Sequence, residues 1–169
     1  MVGLTDIAAD PYRATGKGPA SGPNTYEKWV ALVKRAARLP AEVPREIADV
    51  FEACVGAVMC GWVYQPLLVL GTDKVVTLRE SLARAACQRH GATTGMTRRF
   101  ADCIAYLFTH GLLPPERRAT WELDQRGWSL PERGTPDHAL RFIKAFAQDA
   151  RILFPAAALA PACSRRSIA

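Results

Sequence analysis

From Ala53 to Thr72 the chain reads ACVGAVMCGWVYQPLLVLGT, without one formally charged side chain. A stretch of this length and polarity must leave water, either into a bilayer or into a folded core. Gln65 and Pro66 interrupt it, and Gly56, Gly61 and Gly71 dilute its apolar surface. Helical periodicity continues into charged sequence on both sides. The stretch therefore reads as the buried middle of a helical core, and no membrane span is expected.

The flanking sequence supplies the rest of that core. Residues 1–23 are rich in Gly, Pro, Ala and Ser and read as a flexible arm. Asn24 and Glu27 then stand at capping-box spacing. They lead into a helix with Trp29, Leu32, Val33 and Ala36 on one face, ended by Pro40. A second helix is predicted from near Pro44, with Ile47, Val50, Phe51, Cys54, Val58 and Trp62 inward. Pro66 breaks or kinks it.

A third helix runs to about Arg89, with Val75, Leu78, Leu82 and Ala85 inward and a Glu80–Arg84 pair across one turn. Gly91 stops it. Phe100, Cys103, Ile104 and Leu107 stripe a fourth helix, closed by Gly111, and a short helix is expected near Pro115. The last begins at Thr135 or Pro136 and buries Ala139, Phe142, Ile143, Phe146 and Ile152 or Leu153 before Pro155. No repeat and no strand alternation appears. The expectation is a single all-α helical bundle of four to six helices over residues 24–154, with a loose tail at 155–169.

Charge narrows the partners. With 22 Lys and Arg against 16 Asp and Glu, the net charge is +6 and the isoelectric point about 9.3. That permits an acidic partner such as RNA or DNA without requiring one. The paired basics at Lys34-Arg35, Arg98-Arg99, Arg117-Arg118 and Arg165-Arg166 are dispersed and carry no interleaved aromatics, as on a solvated surface. Arg98, Arg99, Arg117 and Arg118 would form one phosphate-binding patch only if the short helix folds back along the fourth. The five cysteines form no C-x-x-C pair and no Cys/His metal spacing. Cys54, Cys60, Cys87 and Cys103 fall inside apolar helical patterns and read as buried free thiols in a reducing cytoplasm; no metal and no cofactor is expected.

Catalytic motifs are sparse. GKGPASG lacks the strand and helix of a phosphate-binding Walker loop, and there is neither a G-x-S-x-G elbow nor an H-E-x-x-H pair. His90 and His110 each precede a glycine at a helix end, where a cation complements the helix dipole. His138 differs. In RGWSLPERGTPDH it falls in the first turn of the last helix, where exposed amides favour a neutral ring able to take a proton. Arg133 lies just before that helix. Together they could cleave RNA without a metal, His138 polarising a 2′-hydroxyl and Arg133 holding the phosphate. The alternative is a surface arginine and a histidine that merely fills a groove.

YQPLLVLGTDKVVTLRESLARAACQRHGA, followed by FADCIAYLFTHGLLPPE, WELDQRGWS and a final helix ending in Leu153-Phe154, resembles the bacterial helical proteins of the HEPN superfamily. The likeness covers about Tyr26 to Phe154 and rests on order and texture. It implies an HEPN-like bundle. Nuclease members carry an arginine, usually a polar residue after it, then a histidine near the start of the last helix. Arg133 to His138 fits that spacing but has Gly134 at the polar position. In a second register Arg126 takes the arginine position and Leu130 the histidine position, and the site is lost.

The resemblance therefore implies one of two functions. One is a non-catalytic module that binds a protein partner or nucleic acid, within a bacterial defence or toxin–antitoxin system. The other is a metal-independent endoribonuclease using Arg133 and His138. It also implies a homodimer with the loop from Trp128 to His138 near the two-fold axis, and Trp121 and Trp128 as exposed aromatic contacts.

Overall fold

The computed structural model describes residues 25–118, 121 and 134–156. The expected arm and tail lie outside them. Among the described residues five α-helices and two short 3-10 turns have their bounds resolved, and there is no strand. The fold is all-α.

Helix α1 spans Tyr26–Ala36. Its cap is Thr25, whose hydroxyl accepts the Lys28 N–H at 3.3 Å; Asn24, the predicted cap, lies outside the described residues. Trp29 and Val33 are its buried face. Helix α2 spans Arg45–Cys60 behind Pro44 and buries Ile47, Phe51, Cys54, Val55 and Val58. Val50, expected inward, is 46% exposed. It sits one residue off the 3-4 stripe, which turns it about 100° away from Phe51.

Pro66 does not kink a long helix. It opens α3, Pro66–Arg89, at the first helical position, where its missing N–H costs nothing. The uncharged stretch is thus a helix, a turn at 61–65 and a second helix. Trp62 is buried within that turn and stacks on Trp29, ring centroids 6.0 Å apart. The Trp29 indole N–H also donates to the Val58 carbonyl at 3.3 Å, which fixes the start of α1 against the end of α2.

Gly71 explains how closely α2 and α3 approach. A Cβ there would lie 2.9 Å from the Cys54 carbonyl oxygen and 2.7 Å from Val58. A backbone oxygen on the facing helix has little room to yield, so only glycine permits this crossing. Along α3 the buried positions Leu68, Thr72, Val75, Arg79, Leu82 and Ala86 follow one another at alternating steps of four and three. Ala86, rather than the expected Ala85, occupies the last of them.

Beyond α3, His90 caps the helix and Gly91 turns the chain at φ 86°. A 3-10 turn at Thr94–Thr97 leads to α4, Phe100–Thr109, capped when the Asp102 carboxylate accepts the Arg99 N–H at 3.0 Å. Gly111 closes α4 at φ 64°. The predicted short helix opens with a 3-10 turn, Pro115–Arg117, and Arg118 and Trp121 beyond it are helical. Helix α5 spans Pro136–Leu153.

Helix α3 is the central element, packed against α2, α4 and α5, while α1 closes against α2 and α5. Gln65 at the start of α3 donates to the Gly134 carbonyl just before α5, and Arg89 at its end lies over Phe154 just after α5. The two helices therefore run parallel. Arg151 near the end of α5 donates to the Arg38 carbonyl just past α1, so α1 runs the same way. Helices α2 and α4 return in the opposite sense through short connections. No described helix is long and apolar enough to cross a membrane.

Candidate functional site

The start of α5 is where the sequence places its chemistry. Gly134 adopts φ 82°, a left-handed conformation that a side chain would strain. A Cβ there would also reach within 3.0 Å of Val69. Its carbonyl is held by the Gln65 side-chain amide at 3.1 Å. Thr135 caps the helix by accepting the His138 backbone N–H at 3.2 Å. The His138 ring turns inward: the residue is 4% exposed, and the ring packs tilted against Phe142 at 4.7 Å. Arg133 and Trp128 lie outside the described residues, as do Arg126 and Leu130.

A second polar constellation lies deeper. Asp149 on α5 is fully buried and receives two guanidinium groups. Arg79 of α3 donates to its Oδ2 from Nε at 3.1 Å and also from Nη2. Arg117, from the turn after α4, donates to Oδ1 from Nε at 2.9 Å and also from Nη2. Arg117 further reaches the Gln148 side chain and the Ala145 carbonyl. The Arg79 guanidinium also lies over the Trp121 ring at 4.5 Å, and Trp121 tilts against Phe100 at 5.8 Å. Burial lowers the pKa of Arg79, Asp149 raises it back, and the neighbouring Arg117 lowers it further.

This arrangement joins three segments through one carboxylate. All of its members are closed off from solvent except the edge of Arg117, so it holds the fold together and offers a substrate no access. Sequence reasoning misses both central residues. The available signal is a charge at a stripe position: Arg79 continues Leu68, Thr72 and Val75, and Asp149 continues Phe142 and Phe146. Opposite charges on two buried stripes point to a pair.

The chain matches no family model, no curated protein and no solved structure.

The predicted basic patch divides. Arg98 and Arg99 are exposed at the start of α4. Arg117 is committed to Asp149. Arg118 lies over Phe108 near the other end of α4, at 5.7 Å. Trp121, three residues beyond Arg118, packs against Phe100 beside Arg99, so the chain does fold back along α4, and Arg117 is the member of the four turned away to a buried carboxylate. Trp121, expected as an exposed contact, is 1% exposed and belongs to the core. Its distance from the surface follows from Arg79, which needs an aromatic face as much as a carboxylate to be buried.

His90 and His110 are the C-caps of α3 and α4, as their glycine neighbours suggest. His110 stacks on Tyr106 at 3.9 Å, and the Tyr106 hydroxyl donates to the His90 carbonyl at 2.9 Å. The Glu80–Arg84 pair forms at 2.7 Å, and Arg84 also donates to the Thr97 carbonyl. Cys54, Cys87 and Cys103 are buried free thiols, but Cys60 is exposed. Burial, with Cys103 beside it, pushes the Cys87 thiol up to about 12, and burial raises Cys54 and Cys103 as well. Such thiols stay protonated near neutral pH and are poor nucleophiles. Among the described residues no group of His, Cys, Asp and Glu could hold a metal ion.

Proposed function

We propose that this chain is a non-catalytic, HEPN-like helical module that acts by binding a macromolecular partner, in a bacterial cytoplasmic defence or toxin–antitoxin setting. One observation carries the reading: His138 is turned into the core against Phe142. A general base must reach the proton it removes. A ring packed among core side chains at the start of α5 instead supports the helix cap and the junction with α3. The rival reading, a metal-independent endoribonuclease using Arg133 and His138, needs that ring to face substrate. The test is purified protein incubated with total RNA in EDTA. No cleavage is expected from the wild type, while His138→Ala lowers the melting temperature. RNA cleavage by the wild type that His138→Ala abolishes, at unchanged melting temperature, would overturn the proposal.

The turn between α2 and α3 supports a binding role. The uncharged stretch is not wholly buried: Val63, Tyr64 and Leu70 are 54%, 61% and 53% exposed. Val63 and Tyr64 adjoin Gln65, whose side chain holds Gly134, a residue of the loop that the resemblance implies near a two-fold axis. A second copy of the chain is the partner this corner fits, since an apolar, uncharged surface is self-complementary. Tyr64→Glu combined with Leu70→Glu should convert a dimer to a monomer in sedimentation equilibrium, with little change in helicity. A wild type that sediments as a monomer at micromolar concentration would reject the pairing.

A further inference from the structure

Parallel packing of α1, α3 and α5 brings three helix C-termini to one end of the bundle, and that end is rich in arginine. Helix α1 carries Lys34 and Arg35 in its last turn and Arg38 just beyond it. Arg38 and Arg151 are adjacent, because the Arg151 guanidinium donates to the Arg38 carbonyl at 2.9 Å. Arg89, the last residue of α3, reaches the same place and lies over Phe154 at 5.4 Å. Antiparallel α4 starts at this end, since the Cys87 thiol near the end of α3 meets the Cys103 carbonyl in the first turns of α4. Arg98 and Arg99 open that helix.

These basic groups differ from the others in the fold. Arg45, Arg79, Arg84 and Arg117 each have a carboxylate within the molecule. Among the described residues, Lys34, Arg35, Arg38, Arg89, Arg98, Arg99 and Arg151 are exposed and none forms an ion pair. Among the described residues the carboxylates toward this end are Glu42, Glu46, Asp49, which pairs with Arg45, and Asp102, which caps α4. Basic residues in a final turn also complement the helix dipole, but three C-termini offset only about half a charge each. The N-termini of α2 and α4 at the same end return most of that. The surface keeps a positive excess that nothing in the described fold neutralises.

We propose that this arginine-rich end binds the phosphate backbone of a duplex nucleic acid. The inference rests on the binding-module reading above and names its partner. Arginine dominates the patch, and its planar fork suits phosphate oxygens. The groups are set on four helix ends held by a common core, so their spacing is fixed before binding. Among the described residues no exposed aromatic side chain stands beside them as a platform for unstacked bases, which favours a duplex backbone over a single strand. Membrane adsorption calls for apolar side chains beside the basic ones. Among the described residues only Met96 and, in the second turn of α2, Val50 are large apolar side chains exposed toward this end, too few and too scattered for a membrane-binding face, whereas Val63 and Tyr64 of the α2–α3 turn and Leu70 of α3 are at the opposite end.

Fluorescence anisotropy with a labelled mixed-sequence DNA duplex and an RNA duplex, each of about 20 base pairs, tests this. Binding at 50 mM salt should weaken on the order of 100-fold by 200 mM, for about four phosphates neutralised. Arg38→Gln/Arg89→Gln/Arg151→Gln should weaken binding at least about ten-fold at 50 mM and flatten the salt slope by about 0.9 for each phosphate left unneutralised. Lys28→Gln/Lys74→Gln/Arg141→Gln removes the same charge elsewhere and should change binding less than about three-fold. If the first triple variant loses helicity, Arg98→Gln/Arg99→Gln serves in its place. Equal losses in both triple variants would show a response to net charge alone and overturn the proposal. So would absence of duplex binding at 50 mM salt, or equally sensitive binding to vesicles containing phosphatidylserine. Absence of binding without RNA cleavage sinks only this inference, whereas metal-independent cleavage sinks the module reading.

Discussion

Asp149→Ala should destabilise the protein by about 3–5 kcal/mol, because it leaves two guanidinium groups without their shared carboxylate. At about 2–4 °C per kcal/mol for a chain of this size, the melting temperature should fall by roughly 6–20 °C. The two arginines do not suffer equally. Arg117 retains 13% side-chain exposure and a route to water through Gln148. Arg79 retains 2% and is covered by Trp121. Most of the loss therefore belongs to Arg79, and Arg79→Met together with Asp149→Leu should restore much of it by exchanging a buried pair for apolar packing. Thermal unfolding of the two variants decides the matter. A loss below about 1 kcal/mol in Asp149→Ala would mean that Arg79 finds water in the folded state, contrary to its burial.

The same cluster shows where the sequence is legible and where it is not. Helix-period spacing and proline or glycine punctuation predict every α-helix from α1 to α5, because each buries a continuous stripe and each stop has a local cause. Ile47, Phe51, Leu82, Ile143 and Phe146 all lie where spacing puts them. Local pattern says nothing of which stripe faces which. The resemblance makes Trp121 an exposed contact, and its burial depends on Arg79, far earlier in the chain, and on Phe100. The basic end is illegible for the same reason. Arg38, Arg89 and Arg151 are isolated in sequence and meet only because α1, α3 and α5 run parallel. Spacing places His138 at a capped N-terminus, as the structure does, but the direction of its ring, inward against Phe142, is set by packing.

Phe146→Ala should cost about 3–5 kcal/mol, the loss of a large ring plus the cavity it leaves. Phe146 is fully buried and stacks on Phe51 of α2, ring centroids 4.5 Å apart and planes 18° from parallel. That stack is a main tie between α2 and α5, which meet over a small area compared with the contact each makes with α3. The surrounding helices are fixed by the Gly71 crossing on one side and by the Arg79–Asp149 pair on the other, so the cavity has little means of collapsing. Phe146→Leu fills most of the space and should lose about a third as much. Phe146 and Asp149 also lie one turn apart on the same face of α5, so their losses will not add independently. With total stabilities near 5–15 kcal/mol usual for domains, Phe146→Ala/Asp149→Ala should be largely unfolded at about 25 °C. Far-ultraviolet circular dichroism and urea midpoints of the single and double variants measure both effects. A double variant that keeps a cooperative transition near the wild-type midpoint would show that α5 is held by contacts other than this face.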